Sequence, residues 1–249
     1  MNDESPSTQF TSGQPSVPRP DGEDGEVGED GAVKGPRPRV LIAEDHALVR
    51  EGLRMLLSSE VEVVDTVEDG RALLGAAERL RPDIILLDIS MPLLNGLDAA
   101  RQLAQAKSTA KLIFVTMHAD PAYVRQAFRA GASGYVVKSS ASTHLTEAIQ
   151  EVVAGRRYIS PIPGADLVDL LSGDTPSEGG ELSDNLTPRQ REILQLVAEG
   201  RTAREIAAVL GISRKTVEFH KASIMRLLRL HTTAELTRYA MAHGIITSA

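Results

Sequence analysis

The sequence predicts an α/β protein in which a doubly wound, five-stranded parallel sheet is followed by a small all-α domain. Between residues 39 and 157, short apolar runs alternate with segments of helical periodicity, as they do in repeated β-α units. In these runs apolar residues follow one another instead of alternating with polar ones. Such continuous runs indicate strands whose two faces are both covered by helices. From residue 186 onward, the chain has four helical patterns and no strand pattern.

Five apolar runs supply the strands in chain order. They occupy residues 39–43, 61–66, 83–88, 111–115 and 134–137. Right-handed crossovers between parallel strands wind the connecting helices onto both faces of the sheet. In such folds, ligand chemistry lies at the carboxyl ends of the strands, so the residues after each strand are the first candidates for a site.

The connecting segments are predicted to be helices, because apolar residues recur in them at intervals of three and four. Pro82 ends the second helix, and residues 95–106 form the third. Asp120 and Pro121 provide an N-cap and a first-turn proline for the fourth helix. Residues 143–154 form the fifth helix.

Capping signals define the four C-terminal helices. Three helices begin with a box in which a Thr and a Gln or Glu three residues later cap each other's backbone, namely Thr187/Gln190, Thr202/Glu205 and Thr232/Glu235. Gly211 supplies a tight turn, and Ser213 then caps the third helix. Two short helices joined by such a turn are typical of a helix-turn-helix.

Charge is distributed unevenly along the chain. The total is −7, but residues 186–249 carry 10 basic and 5 acidic residues, a net charge of +5. Residues 1–38 carry −5, and residues 161–185 carry six acidic residues and no basic residue. The basic C-terminal part is therefore the natural place for an anionic partner such as nucleic acid.

Composition assigns the remaining segments and excludes several classes of protein. Residues 1–38 are predicted to be a disordered acidic extension, with an acidic interaction tail as the alternative, and residues 158–185 an acidic linker with at most a turn or two of helix. The absence of cysteine excludes disulfides, Cys-ligated zinc and thiol catalysis. The sequence has neither a secretory signal pattern nor a membrane-length apolar run, so a cytoplasmic protein is expected.

Polar side chains cluster at the predicted strand ends. Glu44 and Asp45 follow the first strand, Asp88 ends the third, Thr116 follows the fourth and Lys138 follows the fifth. Each residue alone is also typical of a helix cap or a surface position, but the ordered set favours a shared site. Mg²⁺ suits close carboxylates, and beside a cation an ionised Asp88 is suited to attack a phosphoryl group.

Residues 39–157 resemble the receiver domain of response regulators, which has a flavodoxin-like fold. The resemblance rests on Glu44-Asp45, Asp88-Ile-Ser-Met-Pro92 with the following Gly96, Thr116, and the Gly-Ala-Ser-Gly-Tyr-Val-Val-Lys segment that ends at Lys138. It implies that Asp88 is the phospho-acceptor. It also implies that Mg²⁺ is bound by Glu44 through water, by Asp45, by Asp88 and by the backbone carbonyl of Ser90.

The same resemblance implies a phosphoryl-stabilising and switching set made of Thr116, Tyr135 and Lys138. In that scheme the Thr hydroxyl moves toward the phosphoryl group and the aromatic ring turns inward. Simple packing in a strand is the alternative for Tyr135. His118 is expected to be a solvated surface residue rather than a ligand.

The C-terminal part resembles the LuxR-type helix-turn-helix of the NarL/FixJ family. The matching stretches are Leu186-Thr-Pro-Arg-Gln-Arg-Glu-Ile-Leu194, Ala198-Glu-Gly200, Glu205-Ile-Ala207, Gly211-Ile-Ser213 and Lys215-Thr-Val217 with His220. The resemblance implies a DNA-recognition helix over residues 214–222 and a dimerisation role for the last helix. An ordinary charged surface on a small bundle is the alternative.

The expected DNA contacts are Arg214, Lys215, Thr216, Glu218, Phe219, His220 and Lys221. Glu218 departs from the basic residue that many family members carry, although it could accept from a cytosine amino group. Together the two resemblances imply a transcription regulator that is phosphorylated on Asp88 by a partner histidine kinase. They also imply a homodimer, when phosphorylated, on double-stranded DNA.

Two other functions remain open from the sequence. The first is a DNA-binding regulator whose receiver is vestigial and whose activity does not depend on phosphorylation. The second is a phosphohydrolase with Asp88 as its nucleophile. Such an enzyme usually needs a general acid two residues later, where this chain has Ser90, so a non-enzymatic regulator is preferred.

Overall fold

The computed structural model describes residues 37–162 and 186–246, which belong to a single structural unit. Its N-terminal part is one parallel sheet with the strand order β2-β1-β3-β4-β5-β6. The strands are β1 (Arg39–Ala43), β2 (Glu62–Val67), β3 (Ile84–Leu87), β4 (Lys111–Thr116), β5 (Ala132–Val137) and β6 (Tyr158–Ile159). The helices between them are α1 (Ala47–Leu57), α2 (Gly70–Leu80), α3 (Gly96–Gln105), α4 (Pro121–Arg129) and α5 (Ala141–Val153).

The predicted helices cover both faces of the sheet. Leu41 and Ala43 of β1 pack in a core with α2, α3 and α4, whereas Val40 and Ile42 pack in a second core with α1 and α5. Successive side chains of a strand point to opposite faces, so a strand buried on both sides must be apolar throughout. The doubly wound α/β fold is therefore confirmed.

The sheet has one strand more than the five predicted. Tyr158 and Ile159, which the sequence places in the linker, pair in parallel with Gly134 and Tyr135 of β5. A two-residue strand is too short to show a hydrophobic period, so sequence pattern does not reveal it. The fifth helix also begins earlier than predicted, at Ala141, after a 3₁₀ turn over Lys138–Ser140.

The C-terminal part is a four-helix module made of α6 (Pro188–Ala198), α7 (Ala203–Leu210), α8 (Arg214–Leu228) and α9 (Thr233–Ala242). All three predicted capping boxes are present, at Thr187, Thr202 and Thr232. Gly211 has φ +63°, the left-handed conformation that favours glycine at a helix end. A helical core holds the module together, with Leu194, Ile206, Val217, Ile224 and Leu236 among its buried members.

Two of the predicted segments fall outside the described residues. They are the acidic extension, apart from residues 37 and 38, and the linker from residue 163 to residue 185. Within the described ranges, no helix is both long enough and apolar enough to cross a membrane.

Candidate functional site

Three of the predicted site residues meet at the carboxyl edge of the sheet. Lys138 Nζ lies 2.7 Å from Glu44 Oε2 and 2.8 Å from Asp88 Oδ2. The side chains of Glu44 and Asp88 are 1% and 3% exposed, so both carboxylates are taken out of water. Asp88 Oδ1 also accepts a hydrogen bond from the backbone N–H of Ile89, at 2.7 Å. A single ammonium group therefore bridges two buried acids.

Burial and charge act against each other in this pocket. Burial raises the pKa of Glu44, and the nearby Asp88 adds to this, while the hydrogen bond from Lys138 opposes it. Burial alone would lower the pKa of Lys138, but the attraction of Asp88 and Glu44 outweighs it and raises that pKa above its usual value. The pocket therefore holds more carboxylate charge than one lysine balances.

The neighbouring acidic loop presents further oxygen ligands. One ligand atom from each of Glu44, Asp45 and His46 lies within 4.8 Å of the others. The Asp45 side chain is 29% exposed, which leaves it accessible to an ion entering from solvent. Hard divalent cations take carboxylate oxygens, backbone carbonyls and water. The residues present fit a cation of this kind, because it would balance the excess carboxylate charge.

Arg50 holds the acidic loop in place. Its Nη1 donates to the backbone carbonyl of Glu44 at 2.7 Å, and its Nη2 donates to Glu68 Oε1 at 2.8 Å. The guanidinium thereby ties the loop after β1 to the loop after β2. Sequence reasoning missed this residue, since an arginine near the start of an amphipathic helix looks like any charged surface position.

Thr116 and Tyr135 are both fully buried. Thr116 lies at the end of β4, and its register partner Val137 directly precedes Lys138. The Tyr135 ring already points into the protein, and its hydroxyl donates to the backbone carbonyl of His118 at 2.8 Å. The hydroxyl of Tyr135, the predicted switch residue, is thus hydrogen-bonded to the loop that follows Thr116.

The expectation that His118 is solvated is wrong. His118 Nε2 lies 3.0 Å from Ser90 Oγ, and its ring stacks on Tyr123 with 4.0 Å between the centroids. Burial lowers the pKa of this histidine. Local sequence pattern does not find this position, because both partners come from other elements of the fold.

The loop between β3 and α3, residues 88–95, starts at the phospho-acceptor candidate and is closed by Gly96 at the start of α3. A Cβ atom on Gly96 would lie 1.9 Å from the backbone oxygen of Asp88. The N–H of Gly96 donates to the carbonyl of Ile89 at 2.9 Å. The loop is closed by backbone contacts, so its carbonyl groups are held in definite positions.

The predicted recognition helix is α8, and its outer face is exposed. Phe219 is 67% exposed, and the side chains of Arg214 and Glu218 are 73% and 52% exposed. Arg214 Nε donates to Glu218 Oε1 at 2.8 Å, one helical turn away. Lys221 Nζ donates to Thr233 Oγ1 at 2.9 Å. An α-helix about 12 Å across fits the major groove of DNA, so this face has a suitable shape.

The other predicted contacts lie on the same helix. Lys215 is exposed, Thr216 is half-buried at the capped start of the helix, and His220 is half-buried beside the Phe219 ring. The apolar side of α8 is formed by the buried residues Val217, Ile224 and Leu228, whereas Leu227 is 44% exposed. The structure therefore separates a polar outer face from the face that packs in the module.

Helix α6 contains three buried polar residues that sequence reasoning missed. Arg191, Glu192 and Gln195 are 8%, 6% and 1% exposed. The periodicity of α6 identifies only the side that packs in its own module. The opposite side contacts α3 and the loop before it, including Asn95, whose backbone N–H donates to Gln195 Oε1 at 2.8 Å.

Two family descriptions match the chain, in the order in which its two parts occur. Residues 40–150 match the response regulator receiver domain. Residues 184–240 match the luxR family of bacterial regulatory proteins.

Full-length relatives share both parts. The chain is 36% identical over 214 residues to the transcriptional regulatory protein MctR of Rhizobium johnstonii, covering 85% of this chain and 97% of MctR. It is also 36% identical to the oxygen regulatory protein NreC of Staphylococcus carnosus, covering 84% of this chain and 99% of NreC.

A solved structure of the RcsB response regulator of Salmonella typhimurium is 28% identical and has a TM-score of 0.56. The match covers 84% of this chain and 99% of the RcsB chain. A structure of two RcsB dimers bound to two parallel DNAs has a TM-score of 0.51 at 27% identity, covering 83% of this chain and 98% of that one.

Proposed function

This chain belongs to the response regulators of the NarL/FixJ type, and we propose that Asp88 is the residue through which phosphorylation controls it. The protein is a transcriptional response regulator of a two-component system, with a receiver and a LuxR-type DNA-binding module. The buried Asp88 carboxylate, bonded to Lys138 and facing Glu44, is the observation that carries the proposal.

In the proposed reaction, a carboxylate oxygen of Asp88 attacks the phosphorus of a phosphohistidine on the partner kinase. The new O–P bond forms as the P–N bond breaks, and the histidine leaves. Lys138 stays beside the acceptor and neutralises one oxygen of the added group. The Thr116 hydroxyl donates a hydrogen bond to another oxygen, which stabilises the aspartyl phosphate.

Mg²⁺ is the proposed cofactor. Asp45, Asp88 and the backbone carbonyl of Ser90 would hold it, with Glu44 acting through a water molecule. When bound, the ion supplies neutralisation of the negative charge that builds up on the phosphoryl oxygens. Arg50 keeps the loop of Glu44 and Asp45 in a fixed position, so the acids are already in place before any ligand arrives.

On DNA, the outer face of α8 is proposed to enter the major groove. Lys215, Phe219 and Lys221 would contact DNA from this face, with Thr216 and His220 at its margins. Arg214 would leave Glu218 for a phosphate oxygen, and the freed Glu218 would then accept from a cytosine amino group. The partners are thus double-stranded DNA, a histidine kinase and a second copy of the chain, in the cytoplasm, where the DNA lies.

Light scattering with beryllofluoride and Mg²⁺ tests the control by phosphorylation. Beryllofluoride mimics the phosphoryl group on an aspartate, and the unliganded protein is expected to be a monomer that becomes a dimer when it is added. Asp88→Asn is expected to abolish the shift, because a neutral amide replaces the negatively charged carboxylate that holds the mimic. A monomer that binds no beryllofluoride would contradict the proposal, and would favour a regulator with a vestigial receiver.

Lys221→Ala is expected to weaken DNA binding by a similar factor on every sequence, because a phosphate contact does not depend on the base. The slope of log K against log salt should become shallower by about one unit, as expected for the loss of one phosphate contact. Fluorescence anisotropy on labelled duplexes at several salt concentrations measures both. Lys107→Ala in the receiver is the matched control. An unchanged slope would assign Lys221 a role away from the backbone.

A further inference from the structure

A glutamine from the DNA-binding module inserts into the loop that follows the phospho-acceptor. Gln195 Oε1 accepts from the backbone N–H of Asn95 at 2.8 Å, and its Nε2 donates to the backbone carbonyl of Met91 at 2.9 Å. One amide side chain thus satisfies a donor and an acceptor of the β3–α3 loop, as a paired strand would. Two well-formed bonds to the backbone fix the position of this loop relative to α6.

The contact is fully desolvated. Gln195 is 1% exposed and Asn95 is 3% exposed. Asn95 Nδ2 also donates to Gln195 Oε1 at 3.2 Å, and Asn95 Oδ1 caps helix α3 through the N–H of Asp98 at 2.9 Å. Buried polar groups must keep their partners, so such a contact is either fully made or fully opened to water. It therefore has the all-or-none character of a switch.

Charged pairs surround this contact on the same surface. Glu192 of α6 lies 3.3 Å from Arg71 of α2, and Arg191 of α6 lies 3.9 Å from Asp98 of α3. The surface between the module and the receiver is thus partly ionic, unlike the apolar core of either part. Water can replace polar partners once the surfaces separate, so a polar contact suits an interface that opens.

The bonded carbonyl is close in the chain to the proposed phosphorylation site. Met91 is three residues after Asp88 and directly follows Ser90, whose carbonyl is a proposed Mg²⁺ ligand. The N–H of Met91 donates to the carbonyl of Ile89 at 3.1 Å, and Gly96 at the other end packs on the Asp88 backbone. Met91 directly follows Ser90, and the loop is closed by short backbone contacts. A displacement of Ser90 therefore also displaces Met91.

We propose that Gln195 is a positioning residue that holds the Ser90 segment of the receiver in its unphosphorylated arrangement. The inference rests on the proposed role of Asp88 and adds the residue of the DNA-binding module to which that site is coupled. In this proposal, phosphorylation favours a state in which this contact is open. By linkage, opening the contact then favours phosphorylation by the same factor. Because the Ser90 carbonyl is a proposed Mg²⁺ ligand, we expect opening of the contact to favour Mg²⁺ binding as well.

Two variants of the full chain test this coupling. Gln195→Ala removes both hydrogen bonds to the loop backbone, together with those to the side chains of Asn95 and Glu199. Gln195→Glu keeps an acceptor for Asn95 but sets a carboxylate against the Met91 carbonyl and against Glu199, whose Oε1 lies 2.8 Å from Gln195 Nε2. Gln150→Ala, at an exposed position of α5, is the matched control. Thermal unfolding establishes that each variant is folded.

The readouts are the Mg²⁺ dissociation constant from calorimetry, without phosphorylation, and the rate of labelling by acetyl phosphate at subsaturating Mg²⁺. Both Gln195 variants are expected to bind Mg²⁺ more tightly and to be labelled faster, each by about fivefold, and Gln150→Ala is expected to match the wild type. Values equal to or below the wild type in both Gln195 variants would overturn the proposal. If the wild type takes no label at all, the assignment of Asp88 fails, and the Mg²⁺ constants alone then decide the role of Gln195.

Discussion

Asp88→Asn is expected to take up no phosphoryl group from acetyl phosphate and Mg²⁺, whereas the wild-type protein is labelled. The amide keeps the size of the carboxylate but lacks the negative oxygen that attacks phosphorus. It also removes one of the two acids that Lys138 bridges. Intact-mass spectrometry, which detects the added phosphoryl group on the whole chain, measures the effect.

Asp65→Asn is a suitable control for this substitution. Asp65 lies on β2, where its side chain is 41% exposed and pairs with Arg79, away from the acid pocket. The control is expected to be labelled like the wild type, and both variants should unfold at similar temperatures. Undiminished labelling of Asp88→Asn would place the acceptor on another residue.

Gly96→Ala is expected to destabilise the receiver strongly and to disrupt the acid pocket. The added Cβ would lie 1.9 Å from the backbone oxygen of Asp88 and 3.1 Å from the Cα atom of Ile89. The clashing atoms belong to backbone, which cannot turn aside as a side chain can. Overpacking of this kind costs about 3 kcal/mol of unfolding free energy, which lowers the melting temperature by roughly 10 °C in a protein of this size.

Gly52→Ala provides the contrasting control. Gly52 lies within α1, and a Cβ atom there meets nothing within 4 Å. This substitution is expected to stabilise the protein by about 0.5–1 kcal/mol, because alanine loses less backbone entropy in a helix. Calorimetric melting of both variants gives the comparison. A Gly96→Ala protein as stable as the wild type would mean that the β3–α3 loop is free to move, which would also weaken the coupling assigned to Gln195.

The described contacts bear on how the receiver controls DNA binding. The outer face of α8 is exposed, whereas the receiver contacts α6 and the segment after α9. Asn95 Nδ2 donates to the carbonyl of Ile245 at 3.4 Å, and Gly244 lies close to the Tyr123 ring. In the described residues, the receiver thus contacts α6 and the segment that follows α9, and the outer face of α8 stays exposed.

Pattern alone identified most of the receiver and the helix boundaries of the module. Apolar runs and capping residues act over a few positions, so local sequence determines the five long strands and the starts of α6, α7 and α9. The strand-end acids could also be anticipated, because the carboxyl ends of parallel strands lie at one edge of a sheet. The same rule predicts that Glu44, Asp88 and Lys138 lie close together, as they do in the structure.

Only the tertiary structure decided which polar residues are buried and what they contact. Gln195 stands between two leucines of α6, and a helical pattern assigns such a position to the surface. It is buried because one side of α6 packs on its own module and the opposite side packs on the receiver. The hydrophobic period of a single helix identifies only one buried face, so it does not predict this second one. Arg50 and His118 also differ from surface residues because their partners belong to other elements, namely the loops after β1 and β2 for Arg50, and the β3–α3 loop and α4 for His118. The sequence by itself thus determined the chemistry of the site, and long-range packing determined how that site is connected to the DNA-binding module.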